Sequence, residues 1–209
     1  VIFPKGRLQV TDNMIEIAPI RGCVPKMIRD TLNYLKTNII QKIIHKPEDT
    51  ERSVVVYNYP YQALEEAVVN SLYHRDYLER EPVEITVEPD KISILNFGGP
   101  NHTISSEAIR EARMLRSRRY NNRRLGEFLK ELNLTEGRAT GIPTIQQKLQ
   151  ENGSPRATIE TDEERTFFLI DIPCNQYCLG VTVIKDDKKD DKKADKKDHK
   201  KEMTHIHRV

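Results

Sequence analysis

The pattern of hydrophobic and polar positions predicts helices and strands that alternate along most of the chain. Apolar residues recur at helical spacing in five segments: 24–44, 61–73, 105–113, 121–132 and 142–151. Period-two alternation or β-branched runs predict strands at 7–20, 52–59, 83–89, 91–97, 157–162 and 165–172. The last four strands form two hairpins. Because helices and antiparallel hairpins intermingle, the predicted fold class is α+β, a two-layer sandwich with a mixed β-sheet covered by helices on one face.

The end of the chain differs in composition from the rest. Residues 185–202 hold nine Lys against six Asp and one Glu, and Ala194 is their single aliphatic residue. Such a segment buries too little apolar surface to offset the entropy of ordering, so a charged low-complexity tail is expected. The formal net charge of +2 comes from this tail, and residues 1–184 carry 24 basic and 25 acidic groups. Global charge is therefore no argument that the folded part binds nucleic acid.

Two classes of protein are disfavoured by composition. No apolar run approaches the roughly 20 residues that a membrane helix needs, so no membrane association is expected. Three cysteines are too few, and odd in number, for a disulfide framework, which favours a reducing, cytoplasmic setting.

The helix predicted at 61–73 carries the most informative polar pair. Glu66 and Asn70 lie one turn apart, on a different face from the apolar residues of this helix. A carboxylate can orient or deprotonate a water molecule, and an amide oxygen can bind a Mg²⁺ ion that bridges phosphates. The pair therefore suits nucleotide hydrolysis, although the spacing alone is equally that of a solvent-facing polar stripe.

Two glycine-containing sites follow this helix. Gly98 and Gly99 end a predicted strand, where the backbone must turn sharply or approach a ligand closely. The segment 137–141, which contains Gly137, Thr140 and Gly141, precedes a predicted helix, whose first N–H groups can bind an anion. Two ordinary turns would leave the same pattern.

A basic segment lies between the two glycine sites. Seven arginines and one acidic residue fall within residues 110–124, and Arg116, Arg118 and Arg119 are its centre. Such a segment could contact the phosphates of a nucleotide or of a nucleic acid backbone, or be a solvated basic loop.

Taken in order, four motifs resemble the RecG-related, divergent AAA-type transcriptional regulator family. The first is the long PYQALEEAVVNSLYHRDY at 60–77, which is similar to the family's alrEalvNAlvHRDY. The other three are shorter: ILNFGG at 94–99, SRRYNN at 117–122 and EGRATGI at 136–142. The resemblance spans about residues 60–172.

The resemblance implies a GHKL-type ATP-binding fold, shared with histidine kinases, with ATP and Mg²⁺ as ligands. It implies Glu66 as the residue that activates water and Asn70 as the Mg²⁺ ligand. Asn96 would stand where the wider fold reads adenine with an Asp, and Gly98 and Gly99 would let the base approach. Gly137 and Gly141 would flank the triphosphate loop, together with Thr140.

The resemblance also sets the expected organisation. Residues 1–20 would be the end of a preceding N-terminal domain, of the kind through which family members are expected to bind DNA. Residues 21–173 would form the nucleotide-binding domain, and 174–209 an extension that ends in the charged tail. A homodimer is a further expectation. No helicase motor is expected, because the sequence holds no glycine-rich phosphate loop with its lysine.

Three hypotheses remain open from the sequence. The first is a cytoplasmic nucleotide-binding domain of a transcriptional regulator, with weak Mg-dependent ATPase (hydrolase) activity. The second is a non-catalytic DNA-binding or dimerisation module on a degenerate ATPase scaffold. The third is a purely structural domain of a longer chain.

Overall fold

A four-stranded antiparallel sheet carries the helices in the computed structural model, which describes residues 1–6, 14–46, 53–115, 121–135 and 140–179. The helices are α1 (Val24–Tyr34), α2 (Tyr61–His74), α3 (Ser106–Arg110), α4 (Arg123–Glu131) and α5 (Gly141–Glu151). The strands are β1 (Lys42–His45), β2 (Val54–Tyr57), β3 (Glu84–Val87), β4 (Lys91–Phe97), β5 (Thr158–Glu160) and β6 (Phe167–Pro173). A π-helical turn, Leu35–Ile39, extends α1, and a 3₁₀ turn, Gln176–Cys178, follows β6.

The main sheet has the order β3-β4-β6-β5, and β1 and β2 form a separate antiparallel pair. The register places Ile94 opposite Ile170 and Ile92 opposite Ile172, and all four side chains are buried. Residues directly opposite each other point to the same face, so these isoleucines form one apolar surface. Parallel pairing in the described residues is limited to the isolated bridge between Ile2 and Val87.

Helix α2 is the centre of the helical layer. It packs against β4 of the sheet and against α1 and α5 beside it. Its buried side chains include Leu64, Val68 and Leu72, which recur at the spacing that the sequence predicted. The α+β fold class, with helices layered on an antiparallel sheet, is therefore confirmed.

One predicted helix is too long. The sequence predicts a helix over 24–44, but the helical backbone ends at Ile39, and Ile40 is extended with φ −68° and ψ 125°. Residues 42–45 instead form β1, which pairs with β2. The apolar residue Ile43 continues the helical spacing by coincidence, and pairing with a strand later in the chain decides its conformation.

The strands predicted at 7–20 do not form where the structure describes that segment. Residues 7–13 lie outside the described residues, and 14–20 contribute a single bridge, in which Ile15 and Ile2 exchange two backbone hydrogen bonds of 2.9 Å. Ile2 is 2% exposed and packs into the core. The first residues of the chain thus contribute to the described core, and the domain boundary after residue 20 stays a prediction.

Helix α3 ends earlier than the predicted 105–113. Ser105 caps its start, because its Oγ accepts a hydrogen bond of 3.2 Å from the Ala108 N–H. The helix stops at Arg110, and Ala112 adopts a left-handed φ of 46°. Ala112 lies two residues past the end of the helix. Its left-handed conformation turns the backbone away from the helical path, which the sequence pattern had predicted to continue to residue 113.

Candidate functional site

A cavity of about 290 Å³ opens where α2, the end of β4 and the start of α5 meet. Five residues that the sequence singled out line it: Asn70, Asn96, Gly98, Gly99 and Gly141. They come from three elements and one loop that are distant in sequence, and the fold brings them together. Their roles in binding a ligand stay predictions.

Glu66 does not line the cavity and is described below with Asn70, and the other predicted residues fall in two groups. Thr140 directly precedes α5 as its N-cap residue, with φ −99° and ψ 3°, next to the cavity residue Gly141. Gly137 lies outside the described residues, and so do the three arginines Arg116, Arg118 and Arg119.

Glu66 and Asn70 contact each other along one face of α2. The Asn70 Nδ2 donates a hydrogen bond of 3.1 Å to the Glu66 Oε1. The first residue of α5 lies against this pair: a Cβ at Gly141 would overlap the Asn70 Nδ2 and stand 2.7 Å from the Glu66 Oε1. A glycine at this position is therefore what allows the start of α5 to approach the pair.

Asn96 lies at the end of the inward-facing row of β4, after Ile92 and Ile94. It is 1% exposed, and its Nδ2 has no hydrogen-bond partner among the described residues. A buried amide without a partner costs about 1–3 kcal/mol, so such groups are rare away from functional sites. Asn96 is therefore the residue of the cavity wall that most needs a ligand or water.

Gly98 and Gly99 are required by packing of the protein itself. Gly98 has a φ of +97°, and a Cβ there would lie 2.6 Å from the backbone nitrogen of Asp76. A Cβ at Gly99 would overlap the carbonyl oxygen of Arg165. These contacts hold the loop after β4 against the end of α2 and the β5–β6 turn, and the approach of a base at the two glycines stays a prediction.

His74 lines the cavity one turn beyond Asn70. The residue is exposed to solvent at the cavity, but nearby protein atoms desolvate the ring and lower the pKa of the imidazole to about 4. The ring is therefore neutral at pH 7. Its spacing from Asn70 was visible in the sequence, but its position at the cavity depends on the fold.

Arg165 is a cavity residue that the sequence reasoning missed. It adopts a left-handed φ of 58°, which is uncommon for a side chain of this size. Its guanidinium donates to the carbonyl oxygens of Asn101 at 3.2 Å and Ile104 at 2.9 Å, and so holds the loop after β4. No local signal in the sequence marks this arginine, because its acceptors lie about 60 residues earlier.

Asn122 ends the SRRYNN motif but was given no role from the sequence, and it fixes α4 to the end of α2. Its Nδ2 donates to the carbonyl oxygens of Tyr73 at 2.9 Å and Arg75 at 2.7 Å. Gly126 of α4 packs on the Tyr73 ring, where a Cβ would overlap the hydroxyl. The neighbouring residue Asn121 lines the cavity, so this anchor positions one wall of the site.

The electrostatics of the cavity suit an anionic ligand. Its described wall carries the guanidinium of Arg165 and several amides, but no carboxylate. The start of α5 also points positive partial charge toward this region. The carboxylate of Glu66 lies behind Asn70 and is bonded to its amide.

Two kinds of feature are absent from the described residues. None of their helices combines the length and apolar character needed to cross a membrane. The same part of the chain contains no cluster of three or more His, Cys, Asp or Glu side chains able to hold a metal ion.

Residues 81–170 match the HATPase_c_4 family model, described as "Putative ATP-dependent DNA helicase recG C-terminal". The match indicates an ATPase-like domain and fits the RecG-related resemblance. It contains Asn96, Gly98, Gly99 and Gly141, whereas Glu66 and Asn70 precede it.

Among solved structures, the chain is similar to the crystal structure of the DIP2311 protein from Corynebacterium diphtheriae. The TM-score is 0.63 with 20% sequence identity over 83% of this chain, which shows a shared fold. The chain spans 34% of that protein, about a third of its length. No curated protein matches the chain.

Proposed function

We propose that this chain is a nucleotide-binding domain that holds a purine nucleoside triphosphate, such as ATP, together with Mg²⁺ in the cavity, and that it is a weak Mg-dependent ATPase. The observation that carries the proposal is the position of Asn70, which lines the cavity while its amide nitrogen is committed to Glu66. The match of residues 81–170 to an ATPase-like family model supports the same function independently of this pair.

The metal end of the site rests on the orientation of the Asn70 amide. Because Nδ2 donates to Glu66, the Oδ1 is the atom left to act as a ligand, and amide oxygens are suitable ligands for Mg²⁺. Magnesium in protein sites usually keeps one or two protein ligands and completes its shell with phosphate oxygens and water. When bound, the ion would neutralise charge on the phosphates.

The phosphate end of the site rests on α5. This helix has eleven residues, and its N-terminus reaches the cavity at Gly141. The free N–H groups and the positive end of the helix dipole favour a negatively charged ligand there. His74 also lines the cavity.

The base end of the site rests on Asn96 and apolar neighbours. Its unpartnered amide nitrogen provides a hydrogen-bonding group for the edge of a base. Ile104, Ile142 and Phe168 also line the cavity and provide apolar surface for the faces of a ring system.

Hydrolysis would be the task of Glu66. A carboxylate within hydrogen-bond reach of a bound water can orient it and accept its proton. Glu66 lies one turn from Asn70 and contacts its amide, so a water beside the metal site would be close to this carboxylate. This role predicts that Glu66 affects turnover more than binding.

Calorimetric titration with Mg-ATP tests the proposal. We expect the wild type to bind, and Asn70→Ala to lose about tenfold or more in affinity, equivalent to ~1.4 kcal/mol or more. In Glu66→Gln the amide oxygen of the glutamine can still accept the hydrogen bond from Asn70. We expect this variant to bind ATP but to release no phosphate from it. Glu65→Gln, a neighbouring carboxylate on α2, is the matched control and should leave both unchanged.

Two results would contradict the proposal. If the wild type gives no heat with ATP, ADP or GTP at millimolar concentration, the cavity is not a nucleotide site. If Asn70→Ala and the Mg²⁺ chelator EDTA leave ATP affinity unchanged, the assignment of Asn70 to the metal fails.

A DNA-binding role in a transcriptional regulator is the second candidate function. The described arginines that flank the segment 116–120, among them Arg110, Arg113, Arg123 and Arg124, are exposed. These four exposed arginines support a basic surface on the described part of the chain, and Arg116, Arg118 and Arg119 lie between them in sequence. Duplex DNA binding that weakens with salt and with neutralisation of these three residues would favour it, and a flat response would remove it. A homodimer and a cytoplasmic location belong to the same proposal.

A further inference from the structure

A buried amide lies in the wall of the cavity at the end of β4. Asn96 is 1% exposed and lines the cavity, and its Nδ2 has no hydrogen-bond partner among the described residues. The described wall of the cavity carries no carboxylate. Asn96 therefore provides both a donor and an acceptor at this point of the wall, and no described carboxylate competes with it.

The hydrogen-bonding capacity of an amide suits two kinds of purine edge. An asparagine pairs with adenine by accepting from the 6-amino group and donating to a ring nitrogen. After a half-turn about the Cβ–Cγ bond it donates to the 6-oxo group of guanine and accepts from the adjacent ring N–H. With the base held in the same position, an ionised carboxylate accepts from the 6-amino group but repels the 6-oxo oxygen. Guanine could pair with it only by sliding along its edge to present its N1–H and 2-amino groups.

The backbone position of Asn96 favours this double use. The residue closes the inward row of β4, and its register partner on β6 is Phe168, which also lines the cavity. A flat aromatic ring beside a buried amide can stack with either purine, because stacking does not depend on the 6-substituent. Only the amide orientation then has to change between the two bases.

We propose that this site accepts 6-amino and 6-oxo purine nucleoside triphosphates with similar affinity, because Asn96 serves as a reversible amide reader. The proposal rests on the proposed nucleotide-binding function and adds its substrate class. It assigns base selectivity to one side chain, so a single atom replacement should create selectivity.

The experiment compares ATP and GTP binding to the wild type, Asn96→Asp and Asn101→Asp, by calorimetry with Mg²⁺ at pH 7.5. In the wild type we expect the two dissociation constants to agree within about tenfold. Asn96→Asp should shift the ratio about tenfold or more against GTP, within the range that a single bidentate base contact provides.

Asn101→Asp is the matched control. Asn101 also lines the cavity, but its Oδ1 accepts a hydrogen bond of 3.0 Å from the Thr103 N–H, which an aspartate can still accept. The variant introduces the same charge into the lining of the same cavity and should weaken the binding of both nucleotides alike. A shift of the ATP-to-GTP ratio as large as that of Asn96→Asp would show a general charge effect and overturn the assignment.

The failure of this inference is distinguishable from the failure of the nucleotide site. If neither nucleotide binds the wild type, the proposed function fails and this inference fails with it. If ATP binds the wild type and GTP binds a hundredfold more weakly, the nucleotide site stands, but the proposal that Asn96 pairs with both purines is overturned. The proposal that Asn96 pairs with both purines is also overturned by a second result. In that result ATP and GTP bind the wild type alike, and a folded Asn96→Asp variant, checked by circular dichroism, leaves the ratio of their dissociation constants unchanged.

Discussion

Gly141 at the start of α5 lies directly against Asn70 of α2, with no room between them for a β-carbon. The contact joins a helix terminus to the polar pair of another helix 71 positions earlier in the chain. It makes the position of the proposed metal ligand depend on a residue that carries no functional group.

The first prediction follows from this contact. Gly141→Ala should push the Asn70 amide away from Glu66 or displace the start of α5, because the new methyl group would overlap Asn70. We expect unfolding free energy to fall by about 1–3 kcal/mol, as in other overpacked sites. Mg-dependent ATP affinity should fall by about tenfold or more, equivalent to ~1.4 kcal/mol.

Gly126→Ala is a comparison for this variant. Its Cβ would overlap the Tyr73 ring rather than the polar pair, so stability should fall while the Mg²⁺ dependence of binding is kept. Urea unfolding and calorimetry with and without EDTA measure the two effects. Equal loss of Mg²⁺ dependence in both variants would show that Gly141 acts only through stability.

The second prediction concerns the strained arginine of the β5–β6 turn. Arg165 holds the loop after β4 through two backbone carbonyls while its own φ is 58°. Arg165→Ala loses these hydrogen bonds and keeps the unfavourable backbone conformation, so stability should fall by about 1–3 kcal/mol. Arg165→Gly loses the same bonds but relieves the strain, and should be more stable than the alanine variant by about 1 kcal/mol.

Chemical denaturation of the two variants decides this point. An alanine variant at least as stable as the glycine variant would contradict the left-handed conformation. ATP affinity should fall in both, since both release the loop that forms the cavity rim.

The sequence predicted the parts of the fold that depend on local patterns. Helix α2 was predicted to within one residue, because Leu64, Val68 and Leu72 recur on one face and Pro60 precedes it. The face shared by Glu66 and Asn70 followed from the same periodicity. Strand β1 was missed, because Ile43 continues the preceding helical spacing and its strand pairing is decided by β2.

The rest of the candidate site could not be read from local sequence. The interactions of Arg165 and Asn122 are hydrogen bonds to backbone carbonyls, and any residue can supply a carbonyl. Their acceptors lie 47 or more residues away, and no side-chain pattern marks them. Such contacts become visible only when the fold brings a donor to the end of a helix or loop.

The third prediction concerns pH. Desolvation by nearby protein atoms lowers the pKa of His74 to about 4 in the folded protein from a usual value of 6.5, so the unfolded chain takes up a proton at higher pH than the folded one. Because the residue is exposed to solvent, the resulting effect on stability should be small. The stability that depends on the neutral ring is therefore fully present above pH 6.5 and is lost as pH falls toward 4. His74→Gln should flatten the decline of unfolding free energy between these two values.

Urea unfolding at half-unit steps from pH 7 to pH 4.5 checks the effect of His74. The hydrogen bonds that Asp162 accepts from Thr166 lower the pKa of that carboxyl below its usual 3.8, so its contribution is lost at lower pH. Parallel curves for the wild type and His74→Gln would contradict the prediction.

The fourth prediction concerns the anchor between α4 and α2. The Asn122 Nδ2 donates to the Tyr73 and Arg75 carbonyls, which would otherwise lack this donor at the C-terminal end of α2. Asn122→Ala should lower the unfolding free energy by about 1–3 kcal/mol.

Asn122→Asp has nearly the same shape as the wild-type side chain, but it replaces the donor with an anion that faces two carbonyl oxygens and the negative end of the helix dipole. We therefore expect the aspartate variant to be less stable than the alanine variant at pH 7, and the difference to shrink when the new carboxyl is protonated near pH 4. Denaturant titration at the two pH values measures this order, and an aspartate variant as stable as the wild type at pH 7 would show that the Nδ2 contacts do not support the helix end.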